Sequence, residues 1–135
     1  MKYLFLTLFV LVTLSCSKDT SHRIAKIPEA SGISYCKDSD TLIVANDEGR
    51  YYEIDREGNI LNKKKAGKYD LEGVVCADEK FIFAIEDEGL LFVDRKNGKK
   101  KKVTFDTTYH NKKLPLFDKK NGAEGIAKNG DTLYM

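Results

Sequence analysis

One short sequence pattern occurs almost three times in this chain, and it constrains the fold more than any other feature. The first copy opens at Ser31-Gly32-Ile33 and carries the turn Asp47-Glu48-Gly49. The second opens at Glu72-Gly73-Val74 and carries Asp87-Glu88-Gly89, so the opening glycines are 41 residues apart (73 − 32) and the turns 40 apart (87 − 47). A third copy opens at Glu124-Gly125-Ile126. This period is typical of the four-stranded blade of a β-propeller, a unit that cannot bury its faces alone.

Each complete copy divides into four short β-rich runs separated by turns rich in glycine, asparagine and aspartate. Such turns supply the positive φ angles of tight hairpins, and no amphipathic helical period is present. The sequence therefore predicts an all-β fold of about two and a half blades. The predicted strands of the first blade are Gly32–Tyr35, Thr41–Ala45, Tyr51–Asp55 and Ile60–Lys63, and those of the second are Gly73–Cys76, Phe81–Ile85, Leu90–Asp94 and Lys101–Phe105.

The segment from Asp106 to Gly122 shows no clear strand, and a connection of this length is usually functional or disordered. The third copy then stops at Met135, within what would be its second strand. Because an unpaired apolar strand edge is unfavourable, we expect the chain to be the front part of a longer protein.

The amino terminus has the features of an export signal. Lys2 precedes an apolar run from Leu4 to Leu14, which is too short to span a bilayer, and Cys16 follows at its end. This pattern predicts a lipoprotein signal peptide over residues 1–15, a lipidated Cys16 with a tether over residues 16–27, and a domain over residues 28–135. An ordinary secretory signal cleaved nearby is the alternative. Lipidation would anchor the protein to a membrane of the bacterial cell envelope, inner or outer, with its domain outside the cytoplasm.

Cys36 and Cys76 remain after the predicted signal, and an even pair in an exported protein suggests a disulfide. Both lie on the first strand of their blade but one residue out of phase, so their side chains point to opposite faces of that strand. From this we predict two buried thiols instead of a disulfide.

Lysines concentrate in the fourth predicted strand of each blade, at Lys63 to Lys65 and Lys99 to Lys102. They favour an exposed outermost strand, where lysine discourages edge-to-edge pairing. Binding of nucleic acid or anionic lipid is the alternative; for an exported protein we expect no nucleic-acid partner. The strand aromatics, such as Tyr51 and Phe81, are expected to pack between blades, with ligand stacking as the alternative.

The ordered phrases resemble those of the SdiA-regulated family of exported bacterial β-propeller-like proteins. The resemblance covers about residues 24–135 and includes Tyr52-Glu53-Ile54-Asp55, Asp70-Leu71-Glu72-Gly73-Val74 and Asn121-Gly122-Ala123-Glu124-Gly125. It implies a complete propeller of about six blades, of which roughly half is present here. It implies no established biochemical activity.

Acidic residues recur where the first strands begin and the second strands end. Glu72 and Glu124 each precede the glycine of a first strand, and first strands line the channel of a propeller. Asn46 and Asp47 follow the second strand of one blade, and Glu86 and Asp87 that of the next. A ring of carboxylates and amides suits Ca²⁺, which takes six to eight oxygen ligands. We therefore predict a Ca²⁺ site from Glu72, Glu124, Asp47 and Glu86, the alternative being a structural role in turns.

Three functions follow as hypotheses. The first is a lipid-anchored envelope protein whose propeller binds an unknown ligand or protein partner without catalysis. The second is a calcium-dependent hydrolase (esterase, lactonase or phytase-like) with the metal on the channel axis. The third is a truncated fragment without function. No nucleophile motif or phosphate loop is present, and a general base at His110 is less expected than a solvated loop histidine.

Overall fold

The computed structural model describes residues 23–86, 89–105, 108–109, 112–113 and 122–135. Two four-stranded antiparallel sheets, each with its strands in chain order, form two propeller blades. Blade 1 contains β1 (Ala30–Cys36), β2 (Thr41–Asn46), β3 (Arg50–Ile54) and β4 (Ile60–Lys65). Blade 2 contains β5 (Leu71–Ala77), β6 (Lys80–Ile85), β7 (Gly89–Asp94) and β8 (Lys100–Val103). The eight predicted strands are confirmed, with shifts of at most two residues at their ends.

Two smaller hairpins follow the blades. The strands β9 (Thr108–Tyr109) and β10 (Lys112–Lys113) lie within the segment that was predicted to have no strand, and that prediction is corrected. The strands β11 (Ala127–Asn129) and β12 (Thr132–Tyr134) form the start of a third blade. Within the described ranges the fold contains no helix, and so none long and apolar enough to cross a membrane.

The main core lies between the two blades. Alternate residues of β2 and β6 point into it, because side chains of a strand alternate between the two faces of its sheet. Ile43 and Ala45 face blade 2, and Phe83 and Ile85 face blade 1. Tyr51, Phe81 and Phe83 form an aromatic cluster with ring centroids 5.3–6.3 Å apart. Packing between blades, the predicted role of these aromatics, is confirmed for these three.

Each blade also buries its other face. Ile82 and Leu90 of blade 2 pack with Ile126 and Leu133 of the third unit. On blade 1, Val44, Tyr52 and Ile54 are covered by Ala25 and Ile27. Two residues of the predicted tether, Ala25 and Ile27, therefore pack against blade 1.

The repeated glycines allow the innermost strands to approach closely. A Cβ atom on Gly32 would lie 2.7 Å from the Cα of Gly73, and one on Gly73 would lie 3.0 Å from the Cα of Gly125. Real Cβ contacts are essentially never shorter than 3.0 Å. Gly32 and Gly73 are therefore required because successive blades meet there, backbone to backbone.

Cys36 and Cys76 form a disulfide bond, with their Cα atoms 5.3 Å apart, so the prediction of two thiols is wrong. Both sulfurs belong to the core between the blades. Neighbouring blades pack through opposite faces: Cys36 leaves the face of β1 toward blade 2, and Cys76 leaves the face of β5 toward blade 1. The two cysteines are one residue out of phase in equivalent strands, so their side chains leave opposite faces. Because opposite faces of neighbouring blades meet, this difference brings the two sulfurs together.

Candidate site at the channel mouth

Five carboxylates gather at one end of the innermost strands, and we call this group the acidic mouth: Asp47, Asp70, Glu72, Glu86 and Glu124. Asp47 directly follows β2 and Glu86 directly follows β6, whereas Asp70 directly precedes β5. The two blades have equivalent backbone hydrogen bonds at this end. In blade 1, Asp47 N donates to Glu29 O at 3.3 Å, and in blade 2, Glu86 N donates to Asp70 O at 3.1 Å.

Glu72 lies in a β-bulge. The pairing of β5 with β6 shifts between Leu71 and Gly73, which leaves Glu72 without a partner residue, and β1 shifts in the same way at Ser31. Bulges re-aim a side chain and are common beside functional sites. In blade 1 the Ser31 hydroxyl donates a hydrogen bond to the carbonyl oxygen of Leu71, so the equivalent position there ties the blades together.

Three of the carboxylates are close enough to share one ion. One oxygen each of Asp47, Asp70 and Glu72 lies within 4.8 Å of the others. Ca²⁺–oxygen distances are about 2.3–2.6 Å, so two ligands of one ion can be at most about 5 Å apart. Asp47 comes from blade 1 and the other two from blade 2, so a shared ion would bridge the blades.

The electrostatics of the mouth are unfavourable without a cation. Partial burial, followed in order by the negative charges of Asp47, Asp70, Glu124 and Glu86, raises the pKa of Glu72 from 4.5 to about 7. Among the described residues, no ion pair involves Asp47, Asp70 or Glu72. Glu72 is therefore the group whose proton a cation would displace.

The four predicted ligands fall into two sets. Glu72 and Asp47 meet in the three-carboxylate group. Glu86 and Glu124 lie near enough to act on the pKa of Glu72 but outside that group. Sequence reasoning missed Asp70. Its position two residues before Glu72 is the one local signal, but its closeness to Asp47 is decided by the packing of blade 2 against blade 1.

The other residues considered for the site have different roles or positions. Asn46 is fully buried, donates from Nδ2 to the carbonyl oxygen of Pro28 at 2.8 Å, and accepts from the backbone N–H of Arg50 at 3.4 Å. Its role is structural. Asp87, His110 and Cys16 lie outside the described residues.

The opposite end of the blades is held by Arg95. Its Nη1 donates to both carboxylate oxygens of Asp38 at 2.7 and 2.8 Å and to Asp78 O at 2.7 Å, and its Nη2 donates to Ser39 Oγ at 2.9 Å. This pairing holds the pKa of Asp38 below its ordinary value. The guanidinium also lies 5.2 Å from the ring centroid of Phe81. A polar cleft of about 480 Å³ opens beside this clamp.

Comparison with solved structures shows modest similarity. The chain is similar to hydrazine synthase from Kuenenia stuttgartiensis, with 15% identity over 81% of this chain and 28% of that chain and a TM-score of 0.51. It is also similar to the β-propeller domain of Cps50 (Swd1) from Myceliophteria thermophila (12% identity, 58% of this chain, 26% of that chain, TM-score 0.44). BamB from Moraxella catarrhalis is 10% identical over 55% of this chain and 24% of that chain, with a TM-score of 0.45. The first likeness concerns the fold alone, and the other two, below a TM-score of 0.5, add no argument.

The chain spans about a quarter of the length of these solved chains. No curated protein matches its sequence. The sequence model of the SdiA-regulated family, in contrast, matches residues 16–135, which is nearly all of the chain. This protein therefore belongs to the SdiA-regulated family.

Proposed function

We propose that this chain contributes to a binding module of the bacterial cell envelope, in which the acidic mouth binds Ca²⁺. The observation that carries the proposal is the group formed by Asp47, Asp70 and Glu72, with one oxygen of each within 4.8 Å of the others. All of these ligands are hard oxygen donors, as Ca²⁺ prefers. Bound Ca²⁺ would neutralise the mutual repulsion that, together with the larger effect of partial burial, raises the pKa of Glu72.

The ion would also complete the connection between the blades. Cys36 and Cys76 join β1 and β5 near the ends of these strands remote from the mouth. Asp47 of blade 1, with Asp70 and Glu72 of blade 2, would join the blades at the mouth itself. Ca²⁺ in this place stabilises the binding surface and offers open coordination positions to an anionic group of a ligand or protein partner.

The disulfide supports a location outside the cytoplasm. Disulfides persist in oxidising compartments and are rare where thiols are kept reduced. With the apolar run before Cys16, it favours export and lipid anchoring through Cys16. Intact-mass measurement of the membrane fraction would test this, since the lipid mass should disappear in a Cys16→Ser variant. An unlipidated wild-type Cys16 would contradict the anchor.

The Ca²⁺ site is tested by calorimetric titration and thermal unfolding of the full chain. We expect Ca²⁺ to raise the unfolding temperature, with about 2.7 kcal/mol of stabilisation at a free concentration 100 times the dissociation constant. Glu72→Gln combined with Glu124→Gln should abolish the effect. Glu57→Gln, in an exposed turn at the other end of blade 1, is the matched control and should retain it. Absence of a Ca²⁺ effect in the wild-type protein would refute the site.

The hydrolase is the alternative function of the same mouth, because a metal there would polarise a bound ester or phosphate. Calcium-dependent turnover of a lactone, aryl ester or phosphate ester, lost in Glu72→Gln, would favour it over non-catalytic binding.

A further inference from the structure

We propose that the outer rim of blades 1 and 2 binds an anionic phospholipid surface. The rim consists of the outermost strands β4 and β8 and the residue directly before β8, and its lysines are all exposed: Lys63, Lys64, Lys65, Lys99, Lys100, Lys101 and Lys102. We call these residues the lysine rim. No aspartate or glutamate occurs from residue 58 to 69 or from residue 95 to 105.

The two lysine clusters form one continuous surface. Lys100 Nζ of blade 2 donates to Lys65 O at 3.0 Å and to Ala66 O at 2.6 Å, so the edge of blade 2 touches the end of β4. The positive charges of both blades are therefore presented side by side and can act on one anionic surface.

Exposed apolar side chains lie among these lysines, and they decide what kind of partner fits. Ile60 and Leu61 begin β4 and are 51% and 58% exposed, and Phe105, just after β8, is 41% exposed. On blade 2 a depression of about 320 Å³ is lined by Phe92, Val103 and four lysines, with Asp94 as its one carboxylate among the described residues. Lysines that merely protected a strand edge would need no apolar neighbours. Basic residues combined with exposed apolar ones are typical of surfaces that enter the interface of an anionic bilayer.

The path of the chain places this rim near the proposed anchor. The carbonyl oxygen of Ile24 packs directly against Gly58, in the turn that leads into β4. Ile24 itself is 49% exposed. Ile24 lies eight positions after Cys16, which limits the distance between the two residues to about 27 Å. A lipid on Cys16 would therefore hold the rim against the membrane, although the rim's own binding does not depend on that lipid.

The experiment measures binding of the full chain, as a Cys16→Ser variant, to vesicles of phosphatidylcholine with or without 30% phosphatidylglycerol. We expect binding that requires phosphatidylglycerol and weakens between 50 and 500 mM salt, because salt screens exposed charges. Residues 1–22 are the same in every variant, so their contribution cancels in each comparison.

A charge-matched pair of variants locates the surface. Lys64→Gln and Lys101→Gln together should weaken binding about 25-fold, at about fivefold for each lysine near an anionic surface. Lys37→Gln and Lys128→Gln remove the same charge elsewhere and should leave binding within about threefold of the unsubstituted chain. Far-ultraviolet circular dichroism would check that both variants keep the β fold. Equal losses in the two variants would overturn the proposal.

An apolar pair of variants separates a bilayer from a soluble polyanion. Leu61→Ser should weaken vesicle binding about fivefold, the effect of removing about 40 Å² of apolar area from the contact. Ile33→Ser, at a position with nearly the same exposure but on the innermost strand, should have no effect. Tighter binding to polyphosphate than to vesicles, with no effect of Leu61→Ser, would refute the lipid surface. Loss of Ca²⁺ binding in Glu72→Gln would leave all of these results unchanged.

Discussion

Removal of the Cys36–Cys76 disulfide should cost this protein a large part of its stability. The bond closes a loop between positions 40 residues apart. A crosslink of that length lowers the entropy of the unfolded chain by about 13 cal/mol/K, which corresponds to about 4 kcal/mol at 25 °C. Small domains are stable by only about 5–15 kcal/mol, so this loss would be easy to detect.

The test compares Cys36→Ala/Cys76→Ala with the parent protein by urea unfolding, both in a Cys16→Ser background that excludes exchange with a third cysteine. Alanine keeps the site apolar, which matters because Cys36 is 1% exposed within the core. We expect the free energy of unfolding to fall by about 4 kcal/mol, with the unfolding midpoint lowered to match. Incubation with a reducing agent should lower the stability of the parent but not of the variant.

Two results would contradict this prediction. One is a difference below about 1 kcal/mol between the variant and the unreduced parent, since the loop argument predicts four times that value. The other is detection of two reactive thiols in the unreduced, denatured parent, because cysteines joined in a disulfide contain no free thiol.

Three further predictions concern the mouth, the blade contacts and the clamp. The raised pKa of Glu72 means that the folded state holds this proton more tightly, so without Ca²⁺ stability should fall as pH rises from 4.5 through about 7. Glu72→Gln should therefore stabilise the calcium-free protein at pH 8 by about 1 kcal/mol, a value that allows for solvent screening. At pH 4 the substitution should have no effect on stability, and equal effects at both pH values would contradict the prediction. Gly73→Ala should destabilise the protein by about 1–3 kcal/mol in urea unfolding because its Cβ would meet Gly125, whereas Gly125→Ala, whose Cβ would meet nothing within 4 Å, should be nearly neutral. Arg95→Met should lower the thermal unfolding midpoint far more than Arg56→Met, whose only ion pair in the described part of the chain is an exposed 3.8 Å contact with Asp40; equal shifts would exclude the clamp.

Much of the fold could be predicted because its causes are local. Alternating apolar residues and glycine-containing turns identify the eight strands, and β6, with Phe81, Phe83 and Ile85 on one face, shows this most clearly. The short hairpin β9–β10 was missed, since its two-residue strands have no sequence period to detect.

The candidate site was predictable in part. Glu72 was identified from its place before the repeated glycine, and Asp47 from its place after a strand. Asp70 was not, because its role depends on a turn that brings it beside Asp47 of another blade. The bulge at Glu72 likewise depends on the pairing of β5 with β6, which no local pattern specifies.

The repeat in the amino-acid sequence is enough to specify successive blades, because the 41-residue spacing of Gly32 and Gly73 repeats one complete four-stranded unit. How those blades face each other depends on their packing. Opposite faces of β1 and β5 meet in one core, and so two cysteines that point apart within equivalent strands point toward one another across the interface. Strand periodicity fixes the side of a sheet on which a residue lies, whereas the packing of one sheet on the next decides what that residue touches.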